Sequence, residues 1–137
     1  MTALVLDASI AAAWCFADEA APSTDALFDR VRDEGAIVPA LWHWEVANVF
    51  ATAVRRGRIS EPDAKAQLAS LSVLPITADA DATARAWRET LALAHAHALT
   101  AYDAAYLELA SRLGLPLATK DGDLHTAAPK IGVKVLP

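Results

Sequence analysis

The chain has a single cysteine, few glycines and no long apolar run. One thiol, Cys15, excludes an internal disulfide and any zinc site built from several cysteines. On its apolar stretch it reads as a small hydrophobe. The longest uninterrupted apolar run, Ile10 to Ala17, is eight residues, against the roughly 20 that a bilayer-spanning helix needs. The opening MTALVLDAS has no basic residue ahead of its apolar part and carries Asp7 within it, so it does not read as a signal peptide. These absences point to a cytoplasmic protein with no membrane partner. Basic residues are scarce too. Twelve against 17 acids give a net charge of −5, which alone argues against a broad nucleic-acid-binding face. That objection weakens where acids gather around divalent cations, because the metal reverses the local sign.

What is present is enough apolar material for a core: 55% hydrophobic and 21% charged over 137 residues. That is the make-up of one folded domain spanning residues 1–137. Residues 3–6 (ALVL) read as a buried strand ending on an acid. Helices are expected over Ile10 to Phe16 and over Pro22 to Glu34, the latter stopped by Gly35. A strand AIVP at 36–39 precedes a helix from Trp42 to Arg56, whose apolar positions 46, 49, 50, 53 and 54 recur at helical spacing. Ser60, with Asp63 three residues on, has capping-box spacing for a helix reaching about Leu74. Pro75 to Thr77 reads as extended, and Asp79 as the start of a long helix to about Ala98. Thr100 caps the next helix, on which Tyr102, Ala105, Tyr106, Leu109 and Leu113 form an apolar face and Glu108 pairs with Arg112. A strand at 115–119, a short helix over Leu124 to Ala128 and a strand VKVL complete the order. Strands alternating with helices predict an α/β fold, a helix–sheet–helix sandwich around a mostly parallel sheet.

In such sheets ligands bind beyond the carboxyl ends of the strands. Asp7 follows the first strand and Asp121 follows the strand at 115–119. Glu45 and Asp103 lie in the first turns of helices whose N-termini gather at the same edge. Each acid also has a purely structural reading. Asp7 can cap the first helix, Asp103 completes capping-box spacing from Thr100, Glu45 suits a helix N-terminus, and Asp121-Gly122 is a common turn pair.

Four strings carry a resemblance when taken together and in order: VLDAS at 5–9, WEVANVF at 44–50, LTAYDAAYLELA at 99–110 and LATKDGDL at 117–124. With the proline-isoleucine step at 75–76, they resemble the PIN domain, and most closely the VapC-type toxins of bacterial toxin–antitoxin pairs. The resemblance implies a PIN-like fold and an endoribonuclease hydrolysing RNA phosphodiesters. Its acidic quartet falls on Asp7, Glu45, Asp103 and Asp121, its hydroxyl positions on Ser9 and Thr119, and its asparagine on Asn48. Asp123 follows so closely that either it or Asp121 can be the fourth acid, and the spacing from Thr119 favours Asp121. A cognate antitoxin and a homodimer are further implications.

A site of carboxylate oxygens without Cys or His suits Mg²⁺ or Mn²⁺. Asp7, Asp103 and Glu45 are expected as the main ligands and Asp121 as an outer one, of a second and weaker ion, with Ser9 and Thr119 holding carboxylates or a phosphate oxygen. The histidines make a poor rival: His95 and His97 are two apart on a helix, and His43 and His125 have no partner at ligand spacing. Arg55, Arg56 and Arg58 suit the C-terminus of the third helix, which leaves Lys120 as the better phosphate contact. Trp14, Phe16, Trp42, Trp44 and Phe50 crowd the first and third helices, as core or as part of an antitoxin groove. Phosphotransfer folds with acids at strand ends fit less well. A dehalogenase-type site needs an acid where Ser9 stands, and a receiver needs one after AIVP. The other alternative is a PIN-like module that binds its partner without catalysis.

Overall fold

The computed structural model describes residues 2–137. The apolar run ahead of Asp7 forms strand β1 (Leu4–Leu6), with all three side chains buried. It is joined by β2 (Ala36–Val38), β3 (Ile76–Ala78), β4 (Leu117–Ala118) and β5 (Val135–Leu136). The sheet is parallel throughout, in the order β3-β2-β1-β4-β5. From β1 the chain builds outward through β2 and β3, then returns to place β4 on the other side of β1. Strand order therefore reverses between β1 and β4, and a crevice opens at such a switch point.

The helices are α1 (Ala8–Cys15), α2 (Pro22–Glu34), α3 (Leu41–Arg55), α4 (Glu61–Ser72), α5 (Ala82–Arg85), α6 (Leu91–His97), α7 (Ala101–Leu113) and α8 (Gly122–Ala127). They flank the sheet as a helix–sheet–helix sandwich, with α1 against α2 and α3, and α7 against β1, β4 and α6. The core is aliphatic and centred on β1, with Ile10, Val31, Val38, Tyr106, Leu107, Leu109, Leu117 and Leu124 all essentially inaccessible. No helix among the described residues is long and apolar enough to cross a membrane.

Most element positions follow the sequence pattern, and two do not. The helix expected from Asp79 begins at Ala82 and is broken by a π-type turn over Ala86–Thr90. Asp79 is held elsewhere. Its N–H continues the ladder to the Val38 carbonyl at 2.8 Å, and its carboxylate takes Arg112 Nη2 at 2.7 Å. On α7 the expected apolar face is only half right, because Tyr102 is 65% and Leu113 41% exposed. The buried face runs instead through Ala104, Tyr106, Leu107, Glu108, Leu109 and Ala110. Glu108 tolerates burial because Arg112 donates to it at 2.8 Å, the anticipated i,i+4 pair. The Ser60 cap forms, its hydroxyl accepting the Asp63 N–H.

Candidate functional site

Asp7 directly follows β1, at the switch point where β2 and β4 flank it. Its N–H donates to the Ala118 carbonyl at 3.0 Å, which continues the β1–β4 ladder past Leu6. It occupies the N-cap position of α1, yet its side chain makes no capping bond. The carboxylate instead accepts Thr119 Oγ1–H at 2.6 Å and Ser9 Oγ–H at 2.9 Å, both on Oδ2. The two hydroxyls are themselves oriented. Ser9 Oγ accepts the Lys120 N–H at 2.9 Å, and Thr119 Oγ1 accepts the Asp121 N–H at 3.0 Å. With backbone donors on their lone pairs, both protons are aimed at Asp7. Asp7 and Thr119 are buried. Burial raises the Asp7 pKa, the two hydroxyl bonds oppose that, and the charge of Asp121 adds to it. Asp7 thus resists ionisation more than an ordinary aspartate.

The other acids approach from three helices. Asp121 is the N-cap of α8, its Oδ1 accepting the Leu124 N–H at 3.0 Å. It therefore carries a structural duty whatever else it does. Asp103 sits in the first turn of α7 with its N–H on the Thr100 hydroxyl at 3.1 Å. The reciprocal bond of a capping box, in which the Thr100 N–H would donate to the Asp103 carboxylate, is not formed among the described residues. Its pKa is pushed up to about 6 by burial first, then by the charges of Asp121 and Asp7. Glu45 lies in the second turn of α3 rather than the first, because the helix starts at Leu41. Its pKa is raised by burial and by the charges of Asp7 and Asp103, while a hydrogen bond from the Tyr106 hydroxyl to Oε1 lowers it.

Asp7 and Asp103 therefore each lie close enough to the other acids of the quartet for their charges to interact, although the four come from separate stretches of the chain. Among the described residues, however, no three Asp, Glu, His or Cys side chains are drawn together tightly enough to hold one ion. The donor set is chemically right for a hard divalent cation, and its mutual repulsion is what such a cation would relieve. Asp123 is exposed in the first turn of α8 and reaches Asp103 only as a weaker charge. Asn48 is exposed, one turn beyond Glu45.

Residues around the site divide clearly. Lys120 is exposed beside Asp121. His125 donates Nε2–H to the Thr119 carbonyl at 2.7 Å, which fixes its tautomer and braces the loop that holds the Thr119 hydroxyl. Arg58 turns back to Asp18 and Glu19 at 2.7 and 2.9 Å and lies 4.0 Å above the Phe16 ring, so it ties α3 to α1. Burial raises the Cys15 thiol to about 11, in keeping with an inert side chain. Of the aromatics near α1 and α3, Phe16, Trp42 and Phe50 are buried. Trp14 packs edge-on to Phe28 and donates to the Thr24 carbonyl. Only Trp44 of that group stands out, at 78% exposed. Tyr106 is the residue that periodicity missed: helical spacing marks it as core and carries no sign that its hydroxyl reaches Glu45.

Comparison with known proteins agrees with this architecture. The PIN domain family matches residues 4–130. Ribonuclease VapC3 of Pyrobaculum aerophilum is 30% identical over 128 residues, covering 93% of this chain and 96% of that protein. The crystal structure of PAE2754 from Pyrobaculum aerophilum superposes with a TM-score of 0.71 at 25% identity, covering 98% of this chain and 90% of that one. The chain belongs to the PIN domain family, in its VapC-type branch.

Proposed function

We propose that this protein is a metal-dependent endoribonuclease that hydrolyses RNA phosphodiester bonds and acts in the cytoplasm as the toxin of a toxin–antitoxin pair. The observation that carries the reading is Asp7. It is a buried carboxylate at the sheet's switch point, held by two oriented hydroxyls, and the charges of neighbouring acids help raise its pKa and those of Glu45 and Asp103. A carboxylate kept from capping its own helix, at a cost in burial and repulsion, is the pattern of a group retained for chemistry. The name of the VapC3 relative, a ribonuclease, supports RNA as the substrate.

Asp7, Glu45 and Asp103 would hold Mg²⁺ or Mn²⁺, with Asp121 outside them and water in the remaining positions, as suits an ion that keeps part of its hydration shell. When bound, the ion supplies an acidified water and neutralises charge developing on the phosphate. Ser9 and Thr119 hold Asp7 in one rotamer, and Lys120 lies where a phosphate oxygen could meet it. The exposed indole of Trp44 supports a protein partner over α3, an antitoxin. Exposed Trp87, Leu91 and Tyr102 support a homodimer contact elsewhere on the surface.

End-labelled RNA and DNA of matched sequence, incubated with the purified protein, Mg²⁺ or Mn²⁺, and then EDTA, test this reading. Internal cleavage of RNA that stops with EDTA and returns with added metal is expected, with DNA left largely intact. Cleavage that survives EDTA would refute the mechanism.

A further inference from the structure

We infer that Tyr106 is a positioning residue whose hydroxyl holds the Glu45 carboxylate toward the cation, an inference that rests on the nuclease reading above. Three observations carry it. Tyr106 is completely buried in the middle of α7, where a phenol needs a partner for its hydroxyl. The partner it finds is not a backbone carbonyl nearby but Glu45 Oε1, 61 residues away on α3. And Tyr106 lies three residues after Asp103, on the same side of the helix. One rigid helix therefore delivers an acid of the site together with the donor that orients a second acid from another helix.

The bond is one-sided in a useful way. It occupies Oε1, while Oε2 of Glu45 accepts from no side chain among the described residues. A glutamate has three side-chain torsions, and pinning one oxygen removes much of the freedom lost when the other binds an ion. A carboxylate oxygen only accepts, so the phenol is the donor in this bond. Asp7 is held in a comparable way by Ser9 and Thr119, so two acids of the site each have hydroxyl donors of their own.

The test is Tyr106→Phe, alone and combined with Glu45→Gln, with Mn²⁺ binding followed by calorimetry and RNA cleavage measured separately. Phenylalanine keeps the ring in its slot, so circular dichroism should match wild type. The Mn²⁺ dissociation constant should rise about 10–100-fold, as loss of a ligand-orienting group commonly does, while KM for RNA at saturating metal stays within about twofold. In the Glu45→Gln background, Tyr106→Phe should change neither quantity further, since it acts only through the lost carboxylate. Wild-type Mn²⁺ affinity in Tyr106→Phe, an equal loss in both backgrounds, or an unfolded Tyr106→Phe would each overturn the inference and leave the nuclease reading standing. Absence of Mn²⁺ binding by the wild type would overturn both.

Discussion

Thr119 does two jobs with one oxygen: it donates to Asp7 and accepts the Asp121 N–H. Thr119→Val keeps the shape and removes both bonds at a fully buried position. Urea unfolding should show a loss of about 1–3 kcal/mol, the cost of leaving a buried polar group unpaired, and cleavage should fall about 10–100-fold. Asp121 can be dissected by exploiting its cap. Asn caps nearly as well as Asp, so Asp121→Asn should hold stability while losing activity. Asp121→Ala should lose activity and about 1 kcal/mol besides. If Asp121→Asn is harmless and Asp123→Asn is not, Asp123 is the fourth acid. Asp103, with its pKa near 6, sets a pH dependence. Its folded-state pKa lies above the unfolded value, so the native state binds more protons between roughly pH 4 and 6. Its contribution to metal-free stability is therefore greatest below that window and is lost as pH rises through about 6. Mn²⁺ binding runs the other way, because the ion needs the ionised carboxylate. Calorimetric titrations at pH 5 and pH 7 should show the tighter binding at pH 7.

At the scale of elements, α6 ends in Ala98, the one non-glycine among the described residues with positive φ, at 53°. A left-handed residue with a Cβ carries strain of roughly 1–2 kcal/mol that glycine avoids, and glycine's larger unfolded-state entropy offsets part of it. Ala98→Gly should raise stability by up to about 1 kcal/mol in denaturant melts. Arg112 joins α7 to the end of β3 through Asp79 and pairs within α7 with Glu108. Arg112→Met leaves Asp79 without its ion-pair partner and the buried Glu108 with only the longer contact to Arg85 at 3.7 Å, and should cost about 3 kcal/mol. The same pair of elements shows where sequence reading stops. Strand β1, the Gly35 stop, the Ser60 cap and the Glu108–Arg112 pair follow from local spacing, and the structure has all of them. Asp79 looked like a helix start because its claim on Arg112, 33 residues away, leaves no local trace. The bond between Tyr106 and Glu45 is invisible for the same reason: a period of 3.6 reports which face is buried, not which buried atom needs a partner. Asp7 was legible as an acid ending a buried strand, but only geometry shows that it declines the cap.

For the whole molecule, strand order matters more than any one contact. Because β4 returns beside β1, the chain's start and its last quarter meet at one edge, and Asp7 faces Thr119 across 112 residues. The same convergence concentrates negative charge in a protein already at −5, so the metal-free fold carries repulsion that a cation should relieve. The central claim is that these acids form one cation site and are not merely a set of helix caps. Thermal melts of wild type and Asp103→Asn, each in EDTA and in Mn²⁺, test it most directly. An ion bound only by the native state stabilises it by about 2.7 kcal/mol at a hundred times its dissociation constant. Wild type should therefore melt higher in Mn²⁺. Asp103→Asn should be at least as stable as wild type in EDTA and should respond less to the metal. A mutant that is less stable in EDTA yet gains as much from Mn²⁺ as wild type would make Asp103 a capping residue and contradict the four-carboxylate site.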